Sequence, residues 1–292
     1  MDLLFTKNIA TIYGEAGVHW LDLLPHLTKL YAKRWHLEEL KEVPDLSFNY
    51  VLSGYRGSQA IILKFNPEPW SLAAEARALK AFAGPGMAAL LAEGEEALLI
   101  EYADGGQSLK EYAFAHDFEA INIFCSVAGK LHQAVRYEEK FVHIRDWLSE
   151  LENNWPISNF VLDRARLIKN HLLESSGPYI LLHGDLHQGN ILKHKNDWIA
   201  IDPKGVVGEA LYEAGAFIRN PEALLINLPK VEALNIIKSR IEKIAHFYKA
   251  PPKRLAQWCF VQTVLSWIWA IQDGIETTDK ERLITLWEAC AL

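Results

Sequence analysis

The segment from His183 to Asp202, HGDLHQGNILKHKNDWIAID, constrains this chain more than any other stretch. Two short apolar runs flank a polar turn at 194–197, which predicts a β-hairpin. Because a hairpin returns the chain to its starting point, we expect Asn190 at its entry and Asp202 at its exit to lie side by side. Asp185 precedes Asn190 by five residues, the spacing between a proton-accepting Asp and a metal-binding Asn in phosphoryl-transfer loops. The segment therefore predicts one proton acceptor and two metal ligands at a single site.

The first third of the chain contributes a candidate phosphate-binding pair. Lys64 lies near the end of an apolar strand predicted over 59–65. Glu75 lies on the apolar face of a helix predicted over 72–83, and a carboxylate there needs a partner because burying it alone is costly. We therefore predict that Glu75 pairs with Lys64 and orients its ammonium toward nucleotide phosphates.

Two connecting segments are expected to complete a nucleotide site. The turn predicted between strands 47–53 and 59–65 is a candidate cover for the phosphates through its backbone N–H groups. The residues that would provide this cover are Ser53, Gly54 and Gly57. At the end of the strand predicted over 97–102, Glu101 and Ala103 lie where a kinase hinge would present backbone groups to adenine. No Walker A sequence occurs in the chain.

The pattern of elements predicts two unequal parts. Up to residue 103 the chain is strand-rich with one inserted helix, and Asp104-Gly105-Gly106 marks a flexible joint. Beyond the joint, apolar residues recur at intervals of three and four, which predicts helices interrupted by the hairpin. The predicted helices cover 118–135, 144–154, 161–174, 228–249 and 252–272. We therefore expect an α+β fold with a small β-rich lobe at 1–103 and a larger, mainly helical lobe at 104–292.

Composition excludes several classes of protein. The net charge of −7, from 30 basic and 37 acidic residues, argues against a nucleic-acid partner. Three cysteines without CxxC spacing give no zinc motif and suit reduced thiols. The N-terminal segment lacks the features of a signal peptide, and the apolar stretch at 259–271 is too short to span a bilayer. We expect a cytoplasmic protein without a membrane partner.

Three motifs carry a resemblance to a known family. HGDLHQGN at 183–190 and Ile201-Asp202-Pro203 resemble the aminoglycoside phosphotransferase branch of the protein-kinase-like fold. AIDPKGVVGE at 200–209 and SWIWAIQDG at 266–274 are similar to its streptomycin and hydroxyurea phosphotransferase subfamily, although Gln272 replaces a usually acidic residue. The resemblance implies a bilobal kinase in which ATP binds between the lobes with Mg²⁺ on Asn190 and Asp202. It also implies transfer of the γ-phosphoryl group to a hydroxyl of a streptomycin-like aminoglycoside.

A cationic acceptor would need carboxylates opposite the γ-phosphate, and Glu209, Glu213 and Asp273 are the candidates. For Glu213 a solvated helix surface is the simpler interpretation. Lys204, two residues after Asp202, could contact phosphate or neutralise that carboxylate. Alternatives are a kinase for another small alcohol or a hydroxamate such as hydroxyurea, a nucleotide-binding pseudokinase that acts as an interaction module, and a metallophosphatase. The sequence leaves the physiological acceptor, the phosphorylated hydroxyl, the choice between ATP and GTP, and the oligomeric state open.

Overall fold

A five-stranded antiparallel sheet dominates the first hundred residues of the computed structural model, which describes residues 2–44, 46–113, 116–134, 141–275 and 277–290. The elements of this region are α1 (Leu3–Trp35), β1 (Glu38–Glu42), β2 (Tyr50–Arg56), β3 (Gln59–Phe65), α2 (Pro69–Ala81), β4 (Leu90–Glu93) and β5 (Ala97–Glu101). The strand order of the sheet is β1-β2-β3-β5-β4, and the two helices lie beside it.

Helix α1 was not predicted, so the expectation of one helix in this region is wrong. Its buried residues recur at intervals typical of a helix, but Gly14 adopts a non-helical conformation and Pro25 lies inside the helix. These two residues interrupt the pattern by which a helix is recognised. The helix covers one face of the sheet, where its apolar side chains and alternate residues of β3 form a separate core. The opposite face of β3, which carries Ile62 and Lys64, borders a cavity.

The segment after β5 is bound to the hairpin. Strand β6 (Gly105–Ser108) pairs with β9 (Ile191–His194), and β9 pairs with β10 (Asp197–Ala200) in antiparallel register. The Asp104 N–H also donates to Nδ1 of His194 at 3.1 Å. The backbone of the predicted joint at 104–106 is therefore hydrogen-bonded to the predicted hairpin, and its flexibility stays a prediction.

The rest of the chain is mainly helical, with a second small sheet of order β7-β11-β8. Its elements are α3 (Leu109–Ala113), α4 (Asp117–Ala134), β7 (Val142–His143), α5 (Ile144–Leu148), α6 (Asn159–Glu174), β8 (Tyr179–Leu182), β11 (Val206–Glu209), α7 (Ala214–Arg219), α8 (Glu222–Asn227), α9 (Lys230–Phe247), α10 (Pro252–Gln272) and α11 (Thr278–Ala289). Helix α10 is buried along most of its length and packs against α6, α7, α9 and α11. None of the described helices is both long and apolar enough to cross a membrane.

Most of the predicted helices are confirmed. Helix α10 has the predicted bounds, and α4, α6 and α9 begin and end within about two residues of theirs, with Val135 outside the described residues. The segment predicted over 144–154 divides into α5 and a 3₁₀ turn at Ser149–Glu152. These helices form the large core, which also includes the inner face of α2. That shared core fixes α2, and with it Glu75, against the helical part of the molecule.

Candidate active site

The loop that follows β8 is held by hydrogen bonds of a fully buried histidine. Nδ1 of His183 accepts from the backbone N–H of Asp185 at 3.2 Å, so Nε2 carries the ring proton. That nitrogen lies 2.8 Å from the carbonyl oxygen of Ile201, to which it donates. His183 therefore connects the loop that carries Asp185 to the strand end that precedes Asp202.

Glu213 lies beneath this loop and is only 1 % exposed. Its carboxylate accepts from the backbone N–H groups of His183 at 2.7 Å and Gly184 at 3.0 Å, and it lies 3.4 Å from Nε2 of His132. Burial would raise the pKa of Glu213, but the contacts with His132 and His183 outweigh burial and lower it. The predicted substrate contact and the solvated-surface interpretation of Glu213 are both wrong, because its oxygens bind groups inside the protein.

The side chain of Asp185 is partly exposed, and hydrogen bonds hold the backbone of the loop around it. Its carbonyl oxygen accepts from Nδ2 of Asn190 at 2.9 Å. Nδ1 of His187 accepts from the N–H of Gly189 at 2.9 Å, so its protonated Nε2 faces the Asp185 carboxylate at 3.8 Å. A Cβ atom on Gly189 would lie 2.7 Å from Cε1 of that ring, which explains the glycine. Burial lowers the pKa of His187 more than Asp185 raises it, which favours a neutral imidazole.

The predicted hairpin is confirmed, and it brings its two polar ends together. Ile191 pairs with Ala200, and the N–H of Ile201 donates to the carbonyl oxygen of Asn190 at 3.0 Å. Asn190 and Asp202 consequently border the same cavity. This arrangement follows from the pairing of neighbouring strands, which is why the sequence alone predicted it.

The predicted ion pair between Lys64 and Glu75 is also confirmed. Nζ of Lys64 lies 2.7 Å from Oε2 of Glu75 and 2.8 Å from Oδ1 of Asp202, and the first two side chains are almost fully buried. Nζ of Lys204 approaches the same Asp202 oxygen at 3.1 Å. The predicted strand face is therefore correct, because it directs Lys64 to both carboxylates.

Burial and neighbouring charges compete in this cluster. Burial would raise the pKa of Asp202, but the ammonium groups of Lys204 and Lys64 outweigh it and hold that pKa well below its ordinary value. Burial would lower the pKa of Lys64, but Asp202 and Glu75 raise it. Burial dominates at Glu75 and raises its pKa despite Lys64. Asp202 is accordingly ionised and Lys64 is charged at neutral pH.

These side chains lie at the polar end of a cavity of about 600 Å³. The cavity lies between the sheet, the connection after β5 and the hairpin. Apolar side chains of Ile62, Ile100 and Ile201 form its other walls, and Glu101 and Ala103 lie at its edge. An apolar slot with charged groups at one end suits a flat heterocycle that carries phosphates. The structure thus places Glu101 and Ala103 at the cavity, while their contact with adenine stays a prediction.

The residues predicted to cover the phosphates do not border the cavity. Ser53 and Gly54 lie inside β2, and Gly57 lies in the exposed turn that follows it. A Cβ atom on Gly54 would lie 2.7 Å from Leu40 of β1, so the glycine permits close approach of two strands. Five residues between β1 and β2 border the cavity instead, namely Val43, Pro44, Leu46, Ser47 and Asn49. This loop could not be predicted from the sequence, because β1 is highly charged and does not alternate between apolar and polar residues.

Glu209 forms an ion pair with Arg254 of α10. Nε and Nη2 of Arg254 each lie 2.6 Å from one of its oxygens, and the indole N–H of Trp258 and the hydroxyl of Ser176 also donate to it. The prediction that Glu209 binds substrate is therefore wrong. The hydrogen bonds that satisfy its carboxylate come from α10 and from the segment that precedes β8.

Asp273, the third substrate candidate, is exposed at the C-terminal end of α10. Partial burial raises its pKa. Partial burial, followed by the charge of Asp273, also raises the pKa of Glu68, which lies just before α2. The charge of Asp273 thus acts on Glu68, although the two carboxylates come from distant parts of the chain. Nearby, Trp147 packs edge-to-face on Trp269, with ring centroids 5.6 Å apart. The sequence analysis identified neither Glu68 nor Trp147.

Comparison with known proteins identifies similar kinases. The family model for "Aminoglycoside/hydroxyurea antibiotic resistance kinase" matches residues 34–274. Streptomycin 3''-kinase of Klebsiella pneumoniae is 29% identical over 245 residues, which cover 83% of this chain and 91% of that protein. Streptomycin 6-kinase of Streptomyces griseus is 25% identical over 284 residues, which cover 90% of this chain and 88% of that protein.

A solved structure shows the fold. A thermostable mutant of an aminoglycoside phosphotransferase, in a ternary complex with ADP and hygromycin B, superposes with a TM-score of 0.66 at 13% identity. The superposition covers 90% of this chain and 98% of the other. The predicted α+β, bilobal protein-kinase-like fold is thereby confirmed.

Proposed function

The chain belongs to the aminoglycoside/hydroxyurea antibiotic resistance kinase family, and on this basis we propose that it transfers the γ-phosphoryl group of ATP to a hydroxyl of a streptomycin-like aminoglycoside. As a member of this family, it is a phosphotransferase that acts on an alcohol group. The observation that supports the proposal most strongly is the convergence of Lys64, Asn190 and Asp202 on one cavity. Asp185, the proposed base, is hydrogen-bonded to Asn190 through its own carbonyl oxygen.

In this proposal, residues 1–103 form the nucleotide-binding lobe and residues 104–292 form the lobe with the catalytic loop and the acceptor site. The backbone at Glu101 and Ala103 holds adenine against the apolar walls of the cavity. Lys64, oriented by Glu75, binds the phosphates at the charged end. Residues Val43, Pro44, Leu46, Ser47 and Asn49, which border the cavity, cover the phosphates in place of Ser53, Gly54 and Gly57.

The ligand set suits a magnesium ion held together with the nucleotide. Asn190 donates through Nδ2 to the Asp185 carbonyl, which leaves its Oδ1 as a metal ligand. Asp202 is ionised and supplies carboxylate oxygen. Mg²⁺ prefers such oxygen donors and takes most of its other ligands from phosphate and water. The described residues contain no group of three or more His, Cys, Asp or Glu side chains placed to hold a metal. When bound, the ion neutralises phosphate charge during transfer.

Asp185 accepts the proton of the acceptor hydroxyl and orients its oxygen toward the γ-phosphorus. The buried network of His183 and Glu213 fixes the backbone on one side of Asp185, and Asn190 fixes it on the other. This rigidity matters because phosphoryl transfer depends mainly on positioning and charge stabilisation rather than on covalent chemistry by the protein.

We propose that Asp273 and Glu68 lie at the site that binds the acceptor. Both carboxylates have raised pKa values, Asp273 through partial burial and Glu68 through burial and the charge of Asp273. A cationic aminoglycoside placed between the two carboxylates would stabilise their ionised forms. A neutral acceptor such as hydroxyurea would not, so the two acceptor classes can be distinguished by removing these charges.

The test is a coupled ADP-release assay with streptomycin, hydroxyurea and common sugar alcohols as acceptors. We expect Mg²⁺-dependent ADP release with streptomycin and a product that carries one phosphoryl group by mass spectrometry. Asp185→Asn should lower this activity by about 10²–10⁴-fold. Asp163→Asn, which changes an exposed aspartate paired with Arg166, is the matched control and should retain it. Turnover of hydroxyurea but not streptomycin would replace the proposed acceptor, and ADP release that no acceptor stimulates would refute the proposal.

A further inference from the structure

Lys204 occupies a constrained loop directly beside the catalytic loop. Asp202 and Gly205, on either side of it, have φ values of 58° and 67°, in the left-handed region. The backbone N–H groups of Lys204 and Gly205 both donate to the carbonyl oxygen of His183, at 2.8 and 3.1 Å. A Cβ atom on Gly184 would lie 3.3 Å from Cβ of Lys204, so the two loops approach each other closely. The backbone of Lys204 is thus fixed next to Asp185.

The side chains of Lys204 and Lys64 reach Asp202 from different environments. Both ammonium groups bind Oδ1 of Asp202, at 3.1 and 2.8 Å. The side chain of Lys64 is 7% exposed and is also paired with Glu75, whereas that of Lys204 is 44% exposed. Lys204 is therefore the more accessible of the two cations that bind Asp202.

We propose that Lys204 is a catalytic residue that contacts the transferring phosphoryl group and stabilises its charge, while Lys64 holds the remaining phosphates. The inference rests on the proposed function. In the step, a bond forms between the acceptor oxygen and the γ-phosphorus as the bond from that phosphorus to the ADP oxygen breaks. The hydroxyl proton passes to Asp185, and Lys204 keeps its proton throughout. A fixed cation beside the equatorial oxygens acts where charge is spread in the transition state.

The competing explanation is that Lys204 only neutralises Asp202. The two explanations differ in what a charge-removing substitution changes. If Lys204 contacts the phosphoryl group, Lys204→Met lowers kcat at saturating Mg²⁺ and leaves the KM values for ATP and acceptor nearly unchanged. If it only neutralises Asp202, the variant shifts the Mg²⁺ dependence and keeps kcat near that of the wild type once Mg²⁺ saturates.

The experiment compares Lys204→Met and Lys204→Arg with wild type in the ADP-release assay, over a range of Mg²⁺ concentrations. Lys80→Met is the matched control, because Lys80 pairs with Glu93 at 2.6 Å outside the cavity. We expect kcat of Lys204→Met to fall about 10²-fold, as for loss of one preorganised charge-stabilising group, and Lys204→Arg to recover part of it. A kcat for Lys204→Met within threefold of wild type would overturn the proposal. If Lys204→Met fails to fold, Lys204→Gln takes its place under the same criteria.

A second measurement does not depend on the acceptor. Calorimetry compares the binding of ADP and Mg²⁺ with and without aluminium fluoride, which imitates the transferring group. Wild type should bind ADP at least tenfold more tightly with aluminium fluoride, and Lys204→Met should lose this gain while its affinity for ADP alone is unchanged. An equal gain in both proteins would overturn the proposal. Wild type that uses none of the tested acceptors would refute the proposed function alone, and this measurement would still decide the role of Lys204.

Discussion

Replacing Glu213 by glutamine tests whether this residue anchors the catalytic loop or binds substrate. The carboxylate accepts two backbone N–H groups, at 2.7 and 3.0 Å, in a fully buried site. Glutamine offers one oxygen, so one of the N–H groups of His183 and Gly184 would face an amide NH₂ instead of an acceptor. Loss of a hydrogen bond to a charged group and one unpaired buried donor together cost about 3 kcal/mol. For a protein of this size, that corresponds to a decrease in Tm of roughly 5–10 °C.

Thermal unfolding followed by circular dichroism provides the measurement, and steady-state kinetics provides the contrast. Glu174→Gln changes an exposed glutamate of α6 and should leave Tm within about 1–2 °C of wild type. If Glu213 instead bound substrate, Glu213→Gln would raise the acceptor KM and leave Tm unchanged. That pair of results would refute the structural role.

The acid side of the stability profile gives a further check on Glu213. Its pKa in the folded protein is lower than the ordinary value of 4.5, so its ionised form stabilises the fold above about pH 4.5. That contribution is lost as the pH falls through the lowered pKa of the folded protein. The difference in free energy of unfolding between wild type and Glu213→Gln should therefore be largest near pH 7 and decrease below pH 4.5. A difference that grows toward acid pH would contradict the direction of the shift.

Three further substitutions address the base, the sheet and the acceptor side. Asp185→Asn should lower kcat by about 10²–10⁴-fold with unchanged ATP affinity by calorimetry, and a variant with more than half of wild-type activity would remove Asp185 as the base. Gly54→Val should lower the free energy of unfolding in urea by about 1–3 kcal/mol, because its side chain would meet Leu40 of β1. An unchanged urea midpoint would exclude that close contact, and Ser53→Ala is the control. Asp273→Asn should raise KM for streptomycin roughly two- to fivefold, the equivalent of one exposed charge pair, with KM for ATP unchanged; an equal rise in both would argue for a general disturbance.

The parts of the site that the sequence predicted depend on short-range geometry. Asn190 and Asp202 meet because they lie at the two ends of one hairpin, and hairpin pairing follows from the pattern of neighbouring residues. The pair of Lys64 and Glu75 could be predicted for a different reason. A carboxylate on an apolar helix face requires a counter-charge, and Lys64 lay on the strand before that helix.

The errors arose where long-range contacts decide the outcome. Glu213 is bound by His183, 30 residues away in sequence, and Glu209 by Arg254, 45 residues away. Local pattern cannot distinguish such carboxylates from substrate ligands, because their partners come from other elements. The phosphate-covering loop was misplaced because β1 carries charges along its length and was not recognised as a strand. Without β1, the turn at Gly57 was the nearest candidate.

We propose that Asn190 and Asp202 together hold a cation against a nucleotide in the cavity between the sheet and the hairpin. The most direct test is a crystal structure with Mn²⁺ and a non-hydrolysable ATP analogue, in which anomalous scattering locates the metal. We expect an anomalous peak within coordination distance of Oδ1 of Asn190 and a carboxylate oxygen of Asp202, with Lys64 on the phosphates. A metal peak remote from both side chains, or a nucleotide bound outside this cavity, would contradict it.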